Sequence, residues 1–181
     1  MDVWEAIETR RTIRQFTAEV PMPLLRRLIL AGAKAPSASN SQPWEFIILE
    51  DRKIIDEIAE QKGKMEGLRG GKRRVEIEKN LFQNSSVVAV CIRKGGLSTA
   101  AAWTAAENIA LAATGEGLGS VMVIFGGEFK LTVEKLLKIP DTHELATVLC
   151  IGTPERIPEK VGEDRPEFSW LHINTFDGPA G

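Results

Sequence analysis

The chain is short of the residues that build metal centres and disulfide frameworks. It has two cysteines and two histidines in 181 residues. Cys91 and Cys150 each lie inside an apolar run that reads as a buried strand, with neither metal-ligand spacing nor a disulfide pattern, which points to a reducing, cytoplasmic setting. His143 follows Pro140-Asp141-Thr142 as a turn residue, and His172 sits in an extended stretch. Neither has a Ser or Cys nucleophile arranged beside it, and two histidines alone do not make a zinc site, so no metal is expected. No run approaches the roughly 18 uninterrupted apolar residues that a membrane span needs. The opening Met1-Asp2-Val3-Trp4-Glu5 lacks the basic-then-apolar order of a secretory signal. The formal charge of −2 is near balance, so nothing global favours a nucleic-acid partner. Repeats, low-complexity tracts and linkers are also missing, so one domain over 1–181 is expected.

What is present is enough apolar material for a core, 43% of the residues, and a readable succession of elements. Asp2 with Glu5 three residues on reads as a capping box opening a helix to about residue 11. Residues 12–16 alternate like a strand. A second helix begins near Pro23, carries Leu24, Leu25, Leu28 and Ile29 on one face and ends near Gly32. A polar loop leads to a strand over 44–49, then an amphipathic helix over about 51–61. A Gly- and Lys/Arg-rich loop is expected to about residue 74, then a helix to 82 and a buried strand over 87–92. The longest helix, 98–114, contains eight alanines, so backbones can approach it closely and it should be central, even shared between subunits. A strand over 121–125, a helix over 131–137 and a strand over 145–151 follow. Residues 152–181 hold four prolines and no long apolar pattern; such a tail is expected to wrap the body or a partner subunit. Strands and helices mix without strict alternation, which indicates an α+β fold, one central, mostly antiparallel sheet flanked by helices.

Three segments carry chemistry. Arg10, Arg11, Thr12 and Arg14 gather three guanidinium groups and a hydroxyl within five residues. Arginine forks match phosphate oxygens with paired hydrogen bonds, and a hydroxyl adds a donor. A solvated basic helix end, complementing the helix dipole, has the same spacing. Pro36-Ser37-Ala38-Ser39-Asn40-Ser41-Gln42-Pro43 offers hydroxyls and two carboxamides on a stiff loop, suited to the edge of a heteroaromatic ring; by composition it is also an ordinary turn-rich loop. The segment 62–79, with seven basic and three acidic residues, reads as a solvated loop or as an electrostatic gate for an anion. It has no interleaved aromatics, which argues against single-stranded nucleic acid. Gly115, Gly117 and Gly119 imitate a dinucleotide fingerprint, but they follow a helix and precede a strand, the reverse of what that motif requires.

In their order along the chain these blocks resemble the nitroreductase superfamily. The stretches are Glu8-Thr9-Arg10-Arg11-Thr12-Ile13-Arg14-Gln15-Phe16 and Ala35-Pro36-Ser37-Ala38-Ser39-Asn40-Ser41-Gln42-Pro43-Trp44. Shorter ones follow at Ala106-Glu107-Asn108-Ile109-Ala110-Leu111-Ala112-Ala113, Gly117-Leu118-Gly119-Ser120, Ile139-Pro140, Ile151-Gly152-Thr153-Pro154 and Arg165-Pro166. The resemblance implies an interlocked homodimer with FMN at the subunit interface. Arg10, Arg11, Thr12 and Arg14 would hold its phosphate, ribityl chain and one ring edge. Pro36, Ser37, Ala38 and Asn40, with Gln42 close by, would come from the other subunit. Backbone amides around Ile124, Phe125 and Gly126 would approach flavin N5 and O4, and Arg165 would make a second phosphate contact. The implied activity is ping-pong hydride transfer from NADH or NADPH to small electron-poor acceptors such as nitroaromatics or quinones, with no catalytic side chain required. A flavin-fragmenting or dehalogenating enzyme of the same fold, or a flavin-binding protein without turnover, are the alternatives.

Overall fold

The computed structural model describes residues 1–68, 70–159 and 170–175. Helix α1 spans Val3–Thr9, and Asp2 caps it by accepting the Glu5 amide at 2.9 Å. Strand β1 (Phe16–Glu19) leads into α2 (Met22–Gly32), which has a proline in its first turn, where no intrahelical donor is lost. A short 3-10 turn at Ala38–Asn40 precedes β2 (Trp44–Leu49). Helices α3 (Arg52–Gly67) and α4 (Lys72–Asn80) lead to β3 (Ser86–Arg93). Then come α5 (Ser98–Gly115), β4 (Gly119–Val123), α6 (Gly127–Leu136) and β5 (His143–Pro154).

The strands form one five-stranded sheet in which all named pairs are antiparallel. β5 is its centre. It pairs with β3 and, beyond Ser86, with β1 on one side, and with β4 on the other. β2 closes the far side of β3. One isolated parallel bridge, Thr12 to Ser120, ties the segment before β1 to β4.

β3 shows why the sheet lies between two helical layers. Successive side chains of a strand point to opposite faces. Val87, Ala89 and Cys91 pack with Ile55 and Ile58 of α3 and Val133 of α6. Val88, Val90 and Ile92 pack with Leu25 and Leu28 of α2 and Ala102, Ala106 and Ile109 of α5. A strand apolar on both faces can only be covered twice. The alanines of α5 serve this packing inside the single chain, since Ala101, Ala102, Ala105, Ala106, Ala110 and Ala113 are all buried. The closest approach is made by Gly32 of α2, where a Cβ would stand 2.7 Å from the Ile109 side chain and 3.1 Å from the Ala105 carbonyl.

Several sequence expectations change: β4 is Gly119–Val123 rather than 121–125, and α6 begins at Gly127 rather than 131. The segment 62–74, expected as a loop, is helical in α3 to Gly67 and again from Lys72. Gly63 and Gly67 lower helix propensity but do not overrule the packing of Ile55, Ile58, Ala59 and Met65 on the helix's inner face. The first strand starts at Phe16 rather than ending there, because residues 12–13 meet β4 only through a bridge.

Gly152 stands where three strands crowd. A Cβ there would lie 2.6 Å from the Ala18 carbonyl and 3.1 Å from both the Asn84 carbonyl and Phe16 Cδ1. Backbone cannot yield as a side chain can, so Gly152→Ala should cost about 1–3 kcal/mol, or roughly 2–12 °C in Tm. Gly115→Ala, at the end of α5 with nothing within 4 Å of the new Cβ, should be neutral or stabilising by up to about 1 kcal/mol. Thermal melts of the two variants check this; equal effects would show that the crowding at Gly152 is relieved at no cost.

Candidate functional site

α1 stops at Arg10, whose backbone turns extended, and the next residues run along β4. The Ile13 amide donates to the Ser120 carbonyl at 3.0 Å, and the Ile13 side chain is buried. This fixes an alternation. Arg11 and Ile13 line one cleft, beside Thr9 and Leu118, of about 370 Å³. Arg14 lines another, of about 340 Å³, while Thr12 stays exposed between them.

The three arginines therefore point to different neighbours. Arg10 Nε lies 3.1 Å from Glu107 Oε1 on α5. Arg11 folds back and donates to the carbonyls of Glu8 at 2.6 Å and Arg10 at 2.9 Å. Arg14 pairs with no carboxylate among the described residues, and it is the uncompensated cation of its pocket. The other charges there answer one another: Lys62 and Arg74 both meet Glu66. Ile124 and Gly126 line the same pocket. Between them Phe125 is buried in the core, pinning the turn that leaves β4.

The loop over 36–42 is built separately. Ser39, Asn40 and Gln42 have φ of 51°, 53° and 43°, a left-handed backbone that is uncommon outside glycine. Hydrogen bonds hold it: the Gln42 amide donates to Ser37 Oγ at 2.9 Å, and Gln42 Nε2 to Asn40 Oδ1 at 3.0 Å. Pro36, Ala38, Asn40 and Gln42 are exposed and Ser37 half-buried. The loop rests on the start of α5, where Ala35 and Trp44 pack with Ala101 and Ala105. It does not line the Arg14 pocket. Arg165 lies outside the described residues.

The structure thus brings Arg14 together with Ile124 and Gly126, and keeps Arg10, Arg11 and the 36–42 loop apart from them within one chain. Sequence reading missed Lys62, Glu66 and Arg74 as walls of that pocket, although the spacing of Lys62 and Glu66, four apart, was a visible pairing signal. No group of three or more His, Cys, Asp or Glu side chains able to hold a metal occurs among the described residues. No helix among them is long and apolar enough to cross a membrane.

The chain is an α+β protein, one antiparallel sheet covered on both faces, with a charged pocket where β4 ends. Residues 7–76 match the model of the nitroreductase family. A provisionally named NADH dehydrogenase/NAD(P)H nitroreductase of Methanothermobacter thermautotrophicus is 29% identical over 167 residues, 87% of this chain and 80% of that one. An iodotyrosine deiodinase of Thermotoga neapolitana is 29% identical over 168 residues, 84% and 89% of the two chains. Among solved structures, an oxidised iodotyrosine deiodinase bound to FMN and 3-iodo-L-tyrosine superposes with a TM-score of 0.81 at 25% identity, covering 97% of this chain and all of that one (100%). The chain is thus similar to nitroreductase-family proteins, through the family model over residues 7–76 and through these relatives over most of its length.

The two thiols supply no nucleophile to this site. Burial raises Cys91 from 9.0 to about 12, helped by the charges of Glu134 and Glu45. Burial likewise raises Cys150 to about 12, against a Ser85 hydrogen bond that lowers it and with Glu78 raising it. Only a thiolate attacks, so at pH 8 a disulfide reagent should leave both thiols of the native protein unreacted and modify both in denaturant. Below pH 9 folded and unfolded chains alike keep these protons. Above it the unfolded chain ionises first, so stability should fall as pH rises from 9 towards about 12. Rapid labelling of the native protein at pH 8 would show the core to be open.

Proposed function

We propose that this chain is an FMN-dependent oxidoreductase, a single domain over 1–181 acting as a cytoplasmic homodimer. It carries hydride from NADH or NADPH to small electron-poor acceptors such as nitroaromatics or quinones. The observation that carries the reading is Arg14, a guanidinium without an acidic partner among the described residues, lining a pocket together with Ile124 and Gly126. That donor set suits a phosphate and the polar edge of a heteroaromatic ring. FMN, when bound, would supply the two-electron chemistry, and the chain's own groups bind and orient.

In this reading Arg14 takes the phosphate first, with Thr12 beside it. Arg10 and Arg11 join it on leaving Glu107 and the α1 carbonyls, and Arg165 adds a contact from the tail. The backbone around Ile124, Phe125 and Gly126 holds the ring edge. The carboxamides of Asn40 and Gln42, with Pro36, Ser37 and Ala38, stand outside the Arg14 pocket of their own chain, so they serve the site of a second copy. Val3, Trp4 and Ile7, all more than half exposed on α1, give that copy an apolar face to cover.

A second reading is reductive dehalogenation at the same site, in which two electrons and a proton replace halide on an aromatic ring. Two observations favour it. The likeness to iodotyrosine deiodinases is one, and the other is that Arg52–Gly67 and Lys72–Asn80 are helices rather than a loose loop, giving the pocket a built wall. Anaerobic titration with each nicotinamide, followed by addition of a nitroaromatic, a quinone or 3-iodotyrosine, separates the readings by acceptor reduced or iodide released.

Arg14→Ala should weaken FMN binding about ten- to a hundredfold, the loss of charge-assisted hydrogen bonds worth roughly 1.5–3 kcal/mol. Arg14→Lys should also weaken it, since the planar fork is lost. Arg10→Ala should cost less, because Arg10 gives up its Glu107 contact to bind, and Thr12→Val least. Fluorescence titration of the apoprotein with FMN measures all four. An Arg14→Ala protein that binds FMN as tightly as the parent would sink the phosphate assignment.

A further inference from the structure

Lys62 and Glu66 face each other one turn apart on α3, with Nζ 2.8 Å from Oε1 and side chains only 9% and 3% exposed. An ion pair taken that far out of water loses in desolvation about what its attraction returns, and apolar residues of similar volume serve a core at least as well. Fold stability alone does not account for it, but its place does. An ammonium has three donors. Those of Lys62 meet Glu66 Oε1, Glu78 Oε2 at 3.8 Å and, at 3.4 Å, the backbone carbonyl of Ile124. On the other side, Glu66 Oε2 lies 2.8 Å from Arg74 Nε on α4. Alternating charge therefore runs from the surface of α4 through α3 to one carbonyl of the turn after β4.

We propose that Lys62 is a positioning residue for that turn, resting on the flavin reading above. A trans peptide is planar, and its C=O and N–H point in opposite directions. With the Ile124 carbonyl held towards Lys62, the Phe125 N–H is directed to the opposite side and kept there, while the buried Phe125 ring anchors the residue from within. A backbone donor of fixed direction discriminates between the two states of a flavin ring. Oxidised N5 offers a lone pair to it; reduced N5 carries a hydrogen that opposes it. Holding the turn still favours the oxidised form, and loosening it favours the reduced one.

The test uses the FMN-loaded protein and a Lys62→Met/Glu66→Leu double variant, which replaces the pair by apolar volume. The readouts are the flavin midpoint potential against a reference dye and the flavin absorption spectrum. The expected result is about a tenfold shift in relative affinity towards reduced flavin, or about 30 mV more positive for a two-electron couple, with an altered spectrum. Lys62→Arg, which keeps a charged donor for the carbonyl, should stay near the wild-type value. A double variant with the wild-type potential and spectrum overturns the proposal. So does a double variant that cannot be recovered folded, because the pair would then belong to the fold. Wild-type protein that takes up no FMN would overturn the flavin reading and this proposal together.

Discussion

The backbone ladder of β5 carries both halves of the candidate site. Gly152 sits in one rung between Glu19 of β1 and Gly119 of β4, and Ile151 in the next between Ser86 and Ser120. Through β4 this strand sets where the 124–126 turn emerges. Through β1, and through the Glu155 amide donating to the Gln15 carbonyl at 3.0 Å, it sets the path of the arginine segment. The two segments are far apart in sequence but are tied to neighbouring rungs, so Arg14 meets Ile124 by strand pairing rather than by any contact between the two side chains. The absence of room for a Cβ at Gly152 measures how tightly those rungs are drawn together.

Within that frame the charges divide by solvent. Arg10 with Glu107 is a half-exposed pair, of the kind that contributes at most about 1 kcal/mol and exchanges partners readily. Lys62 with Glu66 is buried and cannot release its partner without leaving a charge in the core. Arg14 has neither arrangement. The Arg14 pocket thus combines a fixed pair with an open cation, and the exchangeable pair stands outside it. That gradient separates groups suited to hold a ligand from groups suited to hold the protein around it.

Where the signal was local, the sequence was legible. Asp2 as a cap, β2 from Trp44 to Leu49 and the start of α5 at Ser98 follow from neighbours within a few residues. The α+β class followed from the mixture of periods. The helix over 62–67 was hidden because glycines and charges there argue for a loop, and only packing on the sheet outweighs them. The pocket walls Lys62 and Glu66 were hidden for the same reason: a charged pair four apart is read as solvated unless the third dimension buries it. The arginine cluster looked like one unit in one dimension, yet the period of two in an extended segment sends Arg11 and Arg14 into different clefts.

α4 contributes no buried residue, and its exposed positions include Lys72, Arg73 and, on the pocket wall, Arg74. Such an element is weakly constrained by the core and borders the place where a ligand would rest. Apart from Arg74 and Glu78, which meet the buried pair on α3, selection can therefore change its charge or aromatic content without disturbing the sheet that gives the scaffold its shape. The molecule separates a sheet-built chassis from a replaceable flank, and diversification of what the site accepts would be expected to accumulate in that flank first.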